Sequence, residues 1–241
     1  IWLGLVGSEM CIRDRGVHQT HSMTIVDQQD QTYALKSAGL GDLDVSGIIQ
    51  LQNSESQLMV LNLGLRLPVG SIEARTNDFP MQEDAFLLPY TMQLGSGSID
   101  PYFGGSYVGQ SSRASWGAQG RYLHPVLHNS RGYRRSKELD MKMWGAFKAT
   151  KNFSLSGGLY FSQMGSIRDK DDEFNAALLS HYSSRSTGGL NMRAGGGVNF
   201  YIPSGPLQGF RLGLEYVHPL YQLARGIQLK EKNQIFFGAS Y

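Results

Sequence analysis

A chain of 241 residues, 41% hydrophobic and 17% charged, is long enough to build one sizeable domain. Its formal net charge of +2 gives no reason to expect nucleic acid, which would need a clustered basic patch, and no apolar run approaches the roughly 18 residues of a membrane-crossing helix. A β-barrel passes beneath that second test, because only alternate residues of its strands face lipid, so the modest mean hydropathy fits a membrane barrel as well as a soluble β-sandwich.

The chain begins with a stretch that needs separate treatment. Residues 5–15 (LVGSEMCIRDR) resemble one reading frame of a transposase adapter used in sequencing libraries, so residues 1–15 are set aside and the fold is read over 16–241. That stretch holds Glu9, Asp14, Arg13 and Arg15, two charges of each sign, and leaves the net charge at +2. It also holds Cys11, the chain's one cysteine, so disulfide and thiol chemistry drop out.

Residues 17–27 and 32–36 are weak strand candidates. From there the chain alternates with period two, which places successive side chains on opposite faces of a strand. Leu43, Val45, Gly47, Ile49 and Leu51 oppose Asp42, Asp44, Ser46, Ile48 and Gln50. Met59, Leu61, Leu63, Leu65 and Leu67 oppose Leu58, Val60, Asn62, Gly64 and Arg66. Residues 102–110 and 114–123 are richer in glycine and aromatics, and Pro101, which cannot donate to a ladder, marks a rim or bulge. Leu139, Met141, Met143, Gly145, Phe147 and Ala149 oppose Asp140, Lys142, Trp144, Ala146 and Lys148. Leu155, Gly157, Leu159 and Phe161 then oppose Ser154, Ser156, Gly158, Tyr160 and Ser162. The longest row is Leu190, Met192, Ala194, Gly196, Val198, Phe200 and Ile202, against Asn191, Arg193, Gly195, Gly197, Asn199 and Tyr201. It matches a tilted bilayer crossing of roughly 9–11 residues. Phe210, Leu212, Leu214 and Tyr216 oppose Arg211, Gly213 and Glu215, and the chain closes on Ile235, Phe237, Ala239 and Tyr241. The period-two reading gives about 10–12 strands.

The links between these rows alternate in length. Residues 53–56, 111–113, 151–152 and 203–208 are short and turn-like, while 69–98, 126–137, 165–188 and 218–230 are long and polar. An up-and-down meander with short turns at one end and long loops at the other produces this parity, as antiparallel transmembrane barrels do. The apolar alternation ending on an aromatic resembles the signal read by the barrel-assembly machinery, with Tyr241 as its last residue. Together these predict short periplasmic turns, long extracellular loops, and a Gram-negative outer-membrane location.

Several segments carry a family resemblance. LNLGLRLPVGSIEAR (61–75), LPYTMQLGSGSIDPYFGGSYVGQ (88–110), WGAQGRYLHP (116–125), GLGDLDVSG (39–47) and the segment around residues 132–133 resemble outer-membrane proteins of the phenol meta-pathway degradation type. Members of that family are described as transporters. The resemblance spans 39–241 and implies a barrel that passes small, aromatic or hydrophobic molecules, with no catalytic signature. It also implies a signal peptide and further strands ahead of residue 39, so the chain reads as a fragment lacking its first strands.

Charged residues on the polar rows, namely Asp42, Asp44, Arg66, Arg121, Asp140, Lys142, Lys148, Arg193, Arg211 and Glu215, would each cost several kcal/mol near a bilayer midplane. They are therefore assigned inward. Arg66, Arg121, Asp140, Lys142, Trp144, Tyr160, Arg193, Asn199, Tyr201, Arg211 and Glu215 are the expected lumen lining. Either they form a charged constriction that selects permeants, or they pair into a plug with no open pore. Trp116, Tyr122 and Tyr216 point outward as an interfacial girdle.

Residues 168–173 (RDKDDE) lack the glycine turn and distal glutamate of an EF-hand and read as a solvated loop tip, with divalent bridging to lipopolysaccharide as the lesser reading. Residues 134–137 (RRSK) read as a solubilising loop, with contact to anionic lipid headgroups as the alternative. His18 and His21 have a spacing that suits a metal only on a helix, and none is evident there. His124, His128, His181 and His218 show no diagnostic nucleophile spacing. Gly157-Gly158 and Gly195-Gly196-Gly197 sit within strands and are not phosphate loops.

The sequence thus predicts an all-β, antiparallel up-and-down transmembrane barrel whose loops 69–98 and 165–188 gate diffusion through a narrow lumen. Its expected partners are outer-membrane lipid, lipopolysaccharide, the barrel-assembly machinery and a small permeant. No cofactor, metal or catalytic residue is expected. A closed structural or adhesion barrel with binding loops is the alternative. A lipid hydrolase acting at the rim through His124, His128 or His218 is the third reading.

Overall fold

Among the described residues fourteen strands form, most of them where the alternation places them. They are β1 (Glu9–Asp14), β2 (Gln19–Val26), β3 (Thr32–Gly39), β4 (Leu43–Asn53), β5 (Gln57–Leu67), β6 (Arg75–Thr76), β7 (Phe86–Leu87), β8 (Asp100–Gln110), β9 (Ala114–Leu123), β10 (Glu138–Lys148), β11 (Phe153–Met164), β12 (Gly189–Tyr201), β13 (Arg211–Ala224) and β14 (Gln234–Ser240). This computed structural model describes residues 9–14, 19–26, 32–77, 85–174, 182–226, 228 and 230–240, with side chains from Leu35 onward. The described residues hold no α-helix. His18, His181 and Tyr241 lie outside them, as does the side chain of His21.

Nine strands from β4 to β14 pair antiparallel in chain order, with β6 and β7 forming a separate two-stranded piece inside the β5–β8 link. Residues 9–14, set aside on sequence grounds, run antiparallel to β4 as a tenth strand at its free edge. The hairpin of β2 and β3 makes its own two-stranded sheet. β1 and β14 are the two edges of the large sheet and do not pair with each other, so the sheet is open among the described residues.

The two faces of this sheet reverse the usual arrangement of a water-soluble core. Leu63, Met143, Leu159, Val198, Leu214 and Phe237 stand exposed, Phe237 at 72%, whereas Asp44 and Arg66 on the opposite face are 1% and 4% exposed. A monomer in water rarely shows an apolar patch of more than a few hundred Å². Here the apolar face runs across the nine consecutive strands of the large sheet from β4 to β14.

Glycine sets how the inner face packs. A Cβ on Gly64 would lie 2.3 Å from Tyr102 Cζ, and one on Gly117 would lie 2.8 Å from Trp144 Cε2. These glycines stand directly across the ladder from Tyr102 and Trp144, so each ring lies flat over a neighbour that has no side chain. On the outer face Trp116 covers Gly109 in the same way.

Two features differ from the sequence reading. β13 runs on to Ala224, so residues 218–224 are strand and not loop. The alternation breaks there because Pro219 has no N–H, and the ladder absorbs it with a register shift between Met192 and Arg193. As a result the last two links, 202–210 and 225–233, are of equal length, and the short–long parity holds only up to β12.

Gly64→Ala is expected to lower the denaturant-unfolding free energy by about 1–3 kcal/mol, the usual cost of overpacking. The added methyl meets both the Tyr102 ring and, at 2.7 Å, the Val45 carbonyl oxygen. Gly196→Ala, which meets nothing within 4 Å, should leave stability unchanged or slightly raised.

Candidate functional site: the charged inner face and its loop cover

The polar row of each strand meets its neighbours on one face, in three groups along the strands. Nearest the short turns, the Arg211 guanidinium lies 5.5 Å from the Tyr201 ring centroid, with Asn199 two residues along the same row. In the middle, Tyr160 donates its hydroxyl proton to Glu215 Oε1. Lys142 Nζ and Arg193 Cζ stand 4.9 and 5.9 Å from the Tyr160 ring. Arg193 also pairs with Glu231 at 3.4 Å.

At the loop end lies the third and driest group. The Asp44 carboxylate accepts from Arg66 Nε at 3.1 Å and from Arg121 Nη2 at 2.8 Å. Arg66 Nη1 also stands 3.5 Å from Glu138 Oε1, and Arg121 lies 4.1 Å over the Tyr102 ring. Two guanidinium groups and two carboxylates balance in charge. Removing one partner of such a buried group leaves an uncompensated charge, at a cost of about 3–5 kcal/mol. Because the Arg66 and Asp44 side chains are only 5% and 2% exposed, they brace the sheet and present little surface to a solute. Arg66 is therefore corrected from lumen lining to structural ion pair. Asp140, Lys142, Trp144, Tyr160, Arg193, Asn199, Tyr201, Arg211 and Glu215 keep accessible surface on that face, and Arg121 keeps part of its own.

Asp42 has a different task from the one expected. Its Oδ1 accepts from the Gly70 amide at 3.2 Å and its Oδ2 from the Ser96 amide at 2.7 Å. It thereby clamps both ends of the 68–99 link at the rim. The close approach of Gly70 and Gly95 makes this possible, since a Cβ on Gly95 would lie 2.1 Å from the Gly70 carbonyl oxygen.

The long links do not hang free. Phe86, Leu87, Tyr90, Tyr133, Phe174 and Tyr182 form one buried apolar cluster drawn from three links, with Ile167 packed against it. Tyr90 meets Tyr133 and Phe174 edge-on at 4.8 and 4.5 Å between centroids. Tyr182 Oη donates to the Leu87 carbonyl at 2.6 Å, and the Asp171 amide donates to Tyr90 Oη at 2.9 Å. Burial pushes the Tyr90 hydroxyl up to about 12 and raises that of Tyr182 further. A second small cluster of Leu35, Leu88 and Met92 seats the β2–β3 hairpin on the cover, with Ser37 Oγ donating to the Met92 carbonyl at 2.7 Å.

An ion network frames the apolar cluster. Arg131 binds Asp171 through Nε and Nη2 and reaches Glu173 at 2.7 Å. Arg75 makes a bidentate pair with Glu173 at 2.6 and 2.9 Å. Within the expected solvated tip at 168–173, five residues are exposed as expected and Asp171 is the exception, 3% exposed and held by Arg131. The Arg75 hydrogen bond, followed by that of Arg131, holds the Glu173 carboxyl below its ordinary range.

The rim histidines have local partners. Tyr122 Oη and His124 Nδ1 are 3.1 Å apart, His128 Nε2 faces Asp169 Oδ2 at 2.7 Å, and His218 Nδ1 faces Asn233 Oδ1 at 2.8 Å. None of the three bonds a serine hydroxyl among the described residues. Those residues also hold no group of three or more His, Cys, Asp or Glu placed to bind a metal. Sequence reasoning missed Tyr102, Glu138 and Asp100 on the inner face, and every residue of the aromatic cluster. The glycine opposite Tyr102 is the signal that would have placed that ring, while the loop aromatics follow no period. Neither a scan against protein-family models nor a search of curated proteins finds a match to the chain.

Because the Glu173 carboxyl is depressed, its contribution is complete above a pH of about 4.5 and is lost as the pH falls through its lower folded value. Hydrogen exchange of residues 131–134 and 171–174 should therefore accelerate below that range while β10–β12 stay protected. Glu173→Gln should bring part of this acceleration to pH 7, and the effect is small because the pair is partly exposed.

Proposed function

We propose that the chain is an outer-membrane β-barrel protein through which small aromatic or hydrophobic molecules pass passively to the periplasm. The observation that carries the reading is the inverted two-faced sheet: an apolar face exposed from β4 to β14, with mutually paired charges on the other. In a bilayer the apolar face is solvated by acyl chains, and every charge avoids them. On this reading the turns 54–56, 111–113 and 149–152 lie at the periplasmic end and the interlocked links at the extracellular end.

On this reading the inner face supplies the path. Trp144, Tyr160 and Tyr201 offer ring surface to an apolar solute, while Lys142, Arg193 and Arg211 over those tyrosines keep the wall wetted. Passage is diffusion, without cofactor or energy input, and the aromatic cluster of the three long links is the gate. A closed structural barrel is the second reading. The balanced, dry network of Asp44, Arg66, Arg121 and Glu138 favours it, since such a network plugs rather than conducts.

The two readings part in lipid vesicles. The reconstituted chain should admit a small uncharged aromatic alcohol faster than a disaccharide. Tyr90→Ala with Phe174→Ala, which dismantles the cluster, should raise that flux several-fold. Neither solute uptake nor ion conductance above that of protein-free vesicles, in both wild type and variant, would rule out the channel and leave the closed barrel.

A further inference from the structure

A cleft of about 330 Å³ opens at the loop end beside the strand termini of β9, β10, β11 and β13. Five cations line it: Arg134, Arg135, Lys137, Arg168 and Arg225, with His124 at its edge and no carboxylate among its walls. None of the five makes an ion pair among the described residues, in contrast to Arg66, Arg75, Arg121, Arg131 and Arg193. What holds three of the guanidinium groups is neutral. Arg134 Nη1 donates to the Val126 carbonyl at 3.1 Å, Arg135 Nη1 to the Gly95 carbonyl at 3.3 Å, and Arg225 Nη1 to Ser166 Oγ at 3.1 Å.

The backbone sets two of these residues directly opposite each other. Arg134 and Arg168 exchange both amide hydrogen bonds at 3.0 Å in an isolated antiparallel bridge. Residues directly opposed in this way have Cβ atoms roughly 4.5–5.5 Å apart, and like charges so placed destabilise the pairing. An anion seated between two arginines so placed would relieve that repulsion.

The position of the cleft identifies the kind of anion. His124, Lys137 and Arg225 stand two residues beyond Tyr122, Leu139 and Leu223, so the period of two carries the apolar outer face of the sheet into the cleft. Phe103 and Leu223 lie exposed along that face. A ligand that fits both has an apolar tail for the sheet and a compact, multiply charged head for several converging guanidinium groups. A phosphomonoester has three acceptor oxygens and that charge.

We infer that this cleft binds the phosphate head of a membrane amphiphile, whose chains lie along the outer face of β9–β13. The inference rests on the outer-face reading given above and adds a specific lipid site to it. The alternative of a merely solubilising loop at 134–137 does not explain why Arg168 and Arg225, from two other links, turn to the same cleft.

The test uses the purified chain in neutral detergent micelles, with dioleoyl phosphatidic acid, dioleoyl phosphatidylcholine and inorganic phosphate as probes. Native mass spectrometry and equilibrium titration should show preferential retention of phosphatidic acid, falling as salt rises, with inorganic phosphate a far weaker competitor. Each basic residue removed should weaken binding roughly fivefold, so Arg134→Ala with Arg168→Ala should lose about 25-fold. Lys137→Ala, outside the bridge, should lose about fivefold with the bridge intact. Equal retention of both lipids, or undiminished binding in the folded double variant, would overturn the site. Inorganic phosphate competing as tightly as the lipid would also overturn it, by assigning a soluble phosphate site instead. Solute uptake separates this from the channel reading: phosphatidic acid bound without any uptake sinks the channel and leaves the lipid site standing.

Discussion

One carboxylate gathers the loop end of the sheet. Asp44 on β4 accepts from Arg66 on β5 and Arg121 on β9, and Arg66 reaches on to Glu138 at the start of β10. Strands that are not neighbours are thus tied across the inner face at a depth where water does not compensate. The Coulomb attraction in such a place is strong only because the partners are few and close, and the same dryness makes each of them indispensable. Two residues earlier, Asp42 uses both its oxygens on backbone amides of the 68–99 link. Three residues of sequence, 42–44, therefore set both the ion pairing of the sheet and the entry angle of its longest link.

Glycine and aromatic residues do the corresponding work without charge. Tyr102 lies over Gly64 and is itself covered by Arg121, so the position of that guanidinium depends on the absence of a side chain two strands away. Trp144 over Gly117 repeats the arrangement further along. The chain has 30 glycines, and a glycine in a strand interior ordinarily weakens it. At these positions they have the opposite effect, since each one makes room for a ring that fixes its neighbours.

What was legible in the sequence follows from periodicity. The alternation located β4, β5 and β10–β14 and assigned their apolar rows to one face, because a pleated strand has no freedom about where successive side chains point, while the glycine-rich β8 and β9 were placed without a clean row. The same rule separated Leu63 from Arg66 and Met143 from Trp144. It failed at Pro219, where a register shift breaks the count, and so residues 218–224 were read as loop. It had no grip at all on Phe86, Tyr90, Tyr133, Phe174 and Tyr182, which come together through tertiary packing of three links with no shared period. The solvation of 168–173 was legible, but the pairing of Asp171 and Glu173 was not, because their partners Arg75 and Arg131 lie up to 98 and 42 positions away in the chain.

The cover and the basic cleft share a single backbone pairing. The bridge between Arg134 and Arg168 lies one residue from Tyr133, in the aromatic cluster, and one residue from Asp169, which faces His128. Three residues beyond the bridge, Asp171 binds Arg131 and donates its amide to Tyr90. Separating the two arginines would therefore pull Tyr133 and Asp171 away from the groups that hold the cover together. Neutralising their repulsion would do the reverse, since the bridge would then close without opposition. The order of the cover and the occupancy of the cleft are in this way two readings of one backbone pairing, with charge beside the apolar face of the sheet on one flank and apolar burial over the charged face on the other.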